Sequence, residues 1–366
     1  MTATRLTQGG RIDRSKPLSF SWDGRQMKGY AGDTLASALL ANNEQVLGRS
    51  FKYHRPRGIM SAGVEESGAI VTIGEGNRRD PNVKATMQEL YSGLTASGQN
   101  AWPNVRNDVG EINSLFGRFF SAGFYYKTFM GLPPFEWGKG TGLWMRYEKI
   151  IRKAAGMGEA SREADPDQYD HAHGFCDVLV VGGGVAGLSA AITAAQAGLD
   201  VVLVEQGCEL GGDLLSQSGA EAEQQRAELV SSLKSSGVRV MTRTTAFGLY
   251  DNGVAGLLER VTDHVAIPAV HLPRQRFWVM RAKQTILATG AMERHIAFGN
   301  NDHPGVMTAA AGCSYLNRYG VLAGSRIVLA TNNDSVYQTA VDLSAAGAEL
   351  QILDARTELS GGISEL

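Results

Sequence analysis

Gly182, Gly184 and Gly187 stand in a G-x-G-x-x-G turn, directly after the apolar run Val178, Leu179, Val180 and Val181 and directly before Leu188, Ser189, Ala190, Ala191 and Ile192. A turn of this kind between strand and helix binds a diphosphate. The first glycine permits the tight exit from the strand and the second lets main chain approach the pyrophosphate. The third lets the helix lie close to the sheet with its first amides facing the phosphates. Gly183 and Ala186 complete the turn and the opening of the helix, and Ala191 and Gly198 continue its small-residue face. A second apolar strand, Val201 to Val204, then ends in Glu205. That acid lies about 20 residues beyond the turn, where a carboxylate accepts hydrogen bonds from a ribose diol. Gln206 and Gly207 follow it with no adjacent Arg or Lys to meet a 2′-phosphate, so the predicted ligand is an unphosphorylated dinucleotide, NAD or FAD.

The surrounding pattern supplies the elements that must hold this turn. Gly211 and Gly212 offer a second close backbone approach near the pyrophosphate. Residues 220–235 read as a helix with Leu229, Val230 and Leu233 on one face, and Arg239, Val240 and Met241 as a strand. Phe277 to Met280 reads as one strand and residues 284–291 as another, which places Thr289 and Gly290 at its carboxyl end near the cofactor. The candidate cofactor residues are therefore Gly182, Gly183, Gly184, Ala186, Gly187, Glu205, Gly212, Thr289 and Gly290; no catalytic side chain and no metal ligand stands out. The pattern then recurs. Ile327 to Ala330 reads as a strand, Ala340 and Gly347 repeat the small-residue positions, and Asp354 stands where Glu205 stood. The phosphate-facing glycines become Thr331, Asn333 and Val336, so the copy keeps packing residues and loses binding residues. Few residues follow Asp354, and the expectation is an N-terminal portion of a longer polypeptide.

Residues 1–100 read as a small β-rich unit. Leu18 to Trp22 alternates, Asp23-Gly24 is a hairpin turn, and a second strand runs through Tyr30. A helix capped by Asp33 or Thr34 and stopped at Asn42-Asn43 follows, then a basic loop with Arg49, Lys52, His54, Arg55 and Arg57, then a strand at 69–73. Hairpin, helix, long loop and strand suggest a ferredoxin-like β-grasp. Plant-type ferredoxins hold their [2Fe–2S] cluster with cysteines in that loop, and residues 1–175 contain none, so no Fe-S cluster is expected. The basic loop has two readings: a site for an anionic ligand or flavin phosphate, or a solvated or subunit-facing loop. Residues 101–170 form an aromatic-rich connector, dense at 119–130, with a helical pattern at 148–155 and a charged, exposed lead-in at 161–173. Residues 171–366 form the FAD/NAD(P)-binding Rossmann-type unit. The predicted class is α/β.

The formal net charge is −2, with 35 basic and 37 acidic residues and no block of one sign, which disfavours nucleic acid and anionic membranes. No signal-like start and no uninterrupted run of ~20 apolar residues is present. The three cysteines, Cys176, Cys208 and Cys313, have neither metal nor disulfide spacing, and a cytoplasmic protein with incidental thiols is expected.

Residues 48–58, Gly123 to Met130, the glycine fingerprint and Asn301 to Met307 together resemble the alpha subunit of heterotetrameric sarcosine oxidase, and the likeness extends over the whole chain. The resemblance implies a complex that demethylates N-methylglycine to glycine, with formaldehyde or methylene-tetrahydrofolate and hydrogen peroxide as co-products. It further implies beta, gamma and delta partner subunits, FAD on the beta subunit, and FMN shared between alpha and beta. NAD would be held by Gly182, Gly184, Gly187 and Glu205. No substrate-oxidising residue maps onto this chain, and the family's folate-binding half is absent. Three other readings stay open: an FAD-dependent, NADH-linked oxidoreductase, an opine or secondary-amine dehydrogenase subunit, and a nonfunctional truncated product.

Overall fold

The computed structural model describes residues 3–117, 149 and 158–357. The connector's aromatic stretch at 119–130, and the helical pattern at 148–155 apart from Lys149, lie outside them.

Strands β1 (Asp13–Trp22) and β2 (Arg25–Ala31) form the expected hairpin. Asp23 and Gly24 both adopt positive φ, 45° and 76°, the turn whose twist matches the flanking strands. Helix α1 (Leu35–Ala41) begins at Thr34, whose hydroxyl accepts from the Ser37 amide, while the Ser37 hydroxyl accepts from the Thr34 amide. Strands β3 (Ile70–Ile73), β4 (Asp80–Lys84) and β5 (Thr95–Gly98) complete a five-stranded sheet in the order β2-β1-β5-β3-β4. Strand β5 runs parallel to β1 and antiparallel to β3, the mixed order of a β-grasp. Phe20, Trp22, Leu35, Leu39 and Leu94 are buried at its centre, with Tyr315, Tyr319 and Val321 from far along the chain.

The second sheet has six strands. Strand β6 (Tyr169–Val181), helix α2 (Val185–Gln196), strand β7 (Val201–Val204), helix α3 (Ala220–Ser235) and strand β8 (Arg239–Met241) form a parallel α/β run. Strands β9 (Thr244–Tyr250), β10 (Val254–Arg260) and β11 (Gln275–Leu287) then give the order β8-β7-β6-β11-β10-β9. Leu179, Val202 and Val204 face one core, with Leu257 and Met280. Val178, Val180, Val201 and Leu203 face the other, against Leu188, Ala191 and Leu233. A parallel strand covered on both faces reads as a continuous apolar run, which is how 178–181 and 201–204 appear in the sequence.

Two expectations are corrected. The lead-in at 161–173 does not stay outside the sheet, because β6 already begins at Tyr169 and pairs with β11 from Gln275. The two strands read at 277–280 and 284–291 are one, β11, ending at Leu287; polar Arg281, Lys283 and Gln284 interrupt the apolar pattern without interrupting the ladder. Of the face read for α3, Leu233 is buried while Leu229 and Val230 are partly exposed.

Helix α4 (Ala309–Asn317) returns the chain to the first unit's core, and Thr4–Arg5 pairs with Val321–Leu322 just after it. Strand β12 (Arg326–Thr331), helix α5 (Val336–Ala345) and strand β13 (Glu349–Asp354) then form the second βαβ unit, a two-stranded parallel sheet.

Candidate dinucleotide site

Strands β6, β7 and β11 end level with one another, since Val181 pairs with both Val204 and Leu287. The fingerprint turn leaves β6 at that edge, where doubly wound sheets bind ligands. Two of its three motif glycines are required by the fold. Gly182 has φ +108°, and a methyl group there would lie 2.2 Å from the Ala288 carbonyl oxygen. A methyl group on Gly187 would lie 1.9 Å from the Gly182 carbonyl oxygen, so these two positions close the turn on the sheet. Gly184 is different. Its backbone is extended, φ −78° and ψ −176°, and a methyl group would find its nearest neighbour, the Gly212 Cα, at an ordinary 3.8 Å. No protein atom demands glycine there, so the bareness of Gly184 is available to a ligand.

Gly184 is also the N-cap of α2, and neither a capping side chain nor a first-turn acid occupies that end. The opening amides of an α-helix have no partner within the helix, and those of Val185, Ala186 and Gly187 carry the positive end of its dipole. Val185 and Ala186 are exposed, and Gly187 is buried.

Glu205 follows the end of β7, and its carboxylate turns back onto the fingerprint. One oxygen accepts from the Gly183 amide at 2.6 Å and the other from the Gly207 amide at 2.7 Å. A methyl group on Gly183 would lie 2.6 Å from the tip of the Leu210 side chain and 3.0 Å from this carboxylate, so those side chains would have to shift. The fingerprint turn and Glu205 thus form one unit. Gly212 joins it by packing: a methyl group there would lie 2.8 Å from the Gly184 Cα, and Gly211 donates to the Gly183 carbonyl at 2.8 Å. Thr289 and Gly290 follow Ala288, whose amide donates to Val181; both are exposed, and Gly290 has open space around it.

The fold brings in groups that sequence distance hides. Arg226 on α3 packs against Gly211 and pairs with Glu223 at 2.7 Å. Arg318, which closes α4, reaches Glu209 at 3.4 Å and has its charge favoured by Glu205 nearby. A cation, Arg318, therefore does stand near Glu205, but it is paired. Glu89 in the first unit holds Arg243 through two hydrogen bonds, and no local motif marks that pair.

The basic loop closes on its own chain. Arg49 donates to the carbonyls of Val105 and His54 and pairs with Glu111 at 3.2 Å. Arg55 and Arg57 both bind Asp302, and His54 Nδ1 lies 2.6 Å from the buried Asp108 carboxylate. Three of the loop's arginines are thus taken up internally, which neither reading of it anticipated. A cavity of about 660 Å³ beside it is lined by Arg49, Phe51, Tyr53, Arg57 and Gln99 among others, and none of its walls comes from the fingerprint turn. The second βαβ turn is filled by its own side chains. The Thr331 hydroxyl accepts from the Asn333 amide, Asn333 caps Ser335, and Asp354 is bound by Arg356 and Tyr337.

Among the described residues no cluster of His, Cys, Asp or Glu is arranged to hold a metal ion. No thiol is activated: burial pushes Cys176 up to about 11 and raises Cys208 and Cys313 as well.

Residues 15–101 match the family described as 2Fe-2S iron-sulfur cluster binding domain, and residues 176–327 match pyridine nucleotide-disulphide oxidoreductase. The first match contains no cysteine, so the thiolates that such a cluster needs are missing. Sarcosine oxidase subunit alpha of Rhizobium meliloti (strain 1021) is 51% identical over 97% of this chain and 36% of that protein. The same subunit from Corynebacterium sp. (strain P-1) is 36% identical over 97% of this chain and 32% of that protein. The chain thus spans about a third of the length of these relatives. Among solved structures, L-proline dehydrogenase from P. horikoshii superposes with a TM-score of 0.61 at 19% identity, covering 99% of this chain and 57% of that one, which shows a shared fold.

Proposed function

The chain belongs with the sarcosine oxidase alpha subunits over nearly its whole length, and on that premise we propose that it is the dinucleotide-binding part of an amine-oxidising complex. The substrate is N-methylglycine, demethylated to glycine with formaldehyde or methylene-tetrahydrofolate and hydrogen peroxide as co-products. The substrate's electrons are taken on another subunit, since no side chain of this chain reads as a substrate-oxidising group. Beta, gamma and delta subunits complete the assembly, with an FMN shared at one junction. The division into 1–100, 101–170 and 171–366 and a cytoplasmic location belong to the same proposal; no described helix is long and apolar enough to cross a membrane.

The dinucleotide is NAD, with FAD as the alternative in the same place. A nicotinamide dinucleotide brings hydride chemistry when bound; this chain's residues bind and orient it. The amides of Val185, Ala186 and Gly187 meet the diphosphate over the bare Gly184, and Glu205 accepts from the ribose diol. A carboxylate already aligned by two amides is preorganised for that task. A 2′-phosphate would face this anion at close range, which favours the unphosphorylated nucleotide. The side-chain-filled second turn disfavours an enzyme passing hydride between two nucleotides within this chain.

The observation that carries this reading is Gly184, bare where no protein atom requires it. Denaturing the purified chain and analysing the supernatant tests it. Released NAD without flavin colour supports the proposal, a flavin spectrum moves the site to FAD, and no nucleotide after incubation with either refutes it.

A further inference from the structure

Resting on the reading of Glu205 as the ribose acceptor, we propose that Glu89, in the ferredoxin-like unit, is a positioning residue for the dinucleotide site, acting through Arg243 on the Glu205–Gly207 loop. Glu89 lies in a loop of the first unit and Arg243 in the turn between β8 and β9 of the second, and the contacts between them form a continuous path.

Glu89 sits on a rigid mount. It bridges to Thr34, the cap of α1, while the Gln88 carbonyl accepts from Leu35 and the Leu90 amide donates to Asp33. Its carboxylate takes two hydrogen bonds from Arg243, Nε at 2.6 Å and Nη2 at 2.8 Å. Both side chains are about three-quarters buried, at 22% and 25% exposure, so the pair is shielded from water. Burial alone would raise the Glu89 carboxyl; the hydrogen bonds and charge of Arg243 reverse that and hold it below its ordinary value.

Arg243 is placed to transmit this hold. Its backbone is left-handed, φ +53°, a conformation that a non-glycine residue keeps only when its surroundings fix it. Its amide donates to the Gly207 carbonyl at 2.8 Å, and the next amide, Thr244, donates to the Glu205 carbonyl at 2.8 Å. A second arm runs beside it: Arg260 donates to the Met87 carbonyl at 2.7 Å and to the Gln206 carbonyl at 2.8 Å. The carbonyls of Glu205, Gln206 and Gly207 are therefore all gripped by a segment tied to residues 87–89. Gly207 in turn supplies the amide that orients the Glu205 carboxylate. Loosening Glu89 frees that amide and lets the acid rotate away from a ribose hydroxyl.

The test is the affinity of the full chain for ADP and for 2′,3′-dideoxy-ADP, which lacks the whole ribose diol, in the wild type and in Glu89→Ala. A positioning role makes ADP binding about five-fold weaker, a modest coupling between sites, while 2′,3′-dideoxy-ADP binding hardly changes. A merely structural role weakens both nucleotides alike, and that result would overturn the inference, as would no change in either. Should Glu89→Ala fail to fold, Glu89→Gln keeps the side chain's shape and removes its charge, and the same ratio is read. Glu205→Ala, which removes the acceptor altogether, separates the two levels of the argument. If it leaves the ADP preference intact, the ribose reading fails and this inference with it. If it abolishes the preference while both Glu89 variants keep it, only this inference fails.

Discussion

Gly184→Val separates a glycine kept for a ligand from glycines kept for the fold. At Gly184 the extended backbone suits any residue, and the space where a side chain would begin is open to 3.8 Å. The protein's own cost is that of a poor N-cap, about 0.5–1 kcal/mol, a shift of no more than about 4 °C in Tm for a chain this size. The ligand's cost is larger. An isopropyl group keeps the diphosphate from the helix amides, and losing two charge-assisted hydrogen bonds at about 1.5–3 kcal/mol each weakens Kd by roughly 100- to 20,000-fold. Gly187→Ala reverses the balance: its methyl group would sit 1.9 Å from the Gly182 carbonyl oxygen. Backbone must move, at about 3 kcal/mol or more, which lowers Tm by about 6–12 °C. Calorimetric titration with ADP, which carries the diphosphate and ribose common to NAD and FAD, reads the affinity, and thermal unfolding without ligand reads the fold. The reasoning fails if Gly184→Val binds ADP within three-fold of wild type, or if it unfolds as early as Gly187→Ala.

Further outcomes follow from the same contacts. Glu205→Ala strands the Gly183 and Gly207 amides, so it lowers stability by about 1–3 kcal/mol as well as ADP affinity, read by urea unfolding beside titration. Asp354→Ala leaves ADP affinity unchanged, because the second turn is closed by its own side chains; a large loss would move the site there. Glu89 gives a signed pH dependence. Its native carboxyl is more acidic than the unfolded one, so its contribution is complete above the unfolded pKa of about 4.3 and falls as pH drops through the native value. The urea-midpoint gap between wild type and Glu89→Gln should hold from pH 7 to 5 and narrow below about pH 4; a gap that widens in acid contradicts the sign. Cys176, with its thiol pushed up to about 11, should resist alkylation in the native chain at neutral pH and react only on unfolding.

What was legible in the sequence is what depends on neighbours along the chain. The Asp23-Gly24 turn, the helix cap, which falls on Thr34 of the two candidates, and the apolar run into Gly182 carry local signals, and each takes its expected place. Strand β11 was divided because polar Arg281, Lys283 and Gln284 break the pattern, although ladder hydrogen bonds use backbone and tolerate any exposed side chain. The start of β6 at Tyr169 was missed for a related reason: Asp170, His171 and His173 look like surface, and only pairing with Gln275–Leu287 makes them a strand. The partners of the site were hidden by distance. Nothing near Glu89 announces Arg243, and nothing near Arg57 announces Asp302, because such pairs exist only after two units meet. Gly212 reads as a second phosphate approach, and its packing against the Gly184 Cα is a further reason for glycine that sequence alone does not carry.

The most direct test is a crystal structure of the chain grown with NAD. The diphosphate should lie over Gly184 against the first turn of α2, with the adenosine ribose hydroxyls on the Glu205 carboxylate. Nucleotide seated instead at the Thr331–Asn333 turn, or a fingerprint left empty at saturating NAD, would contradict the account.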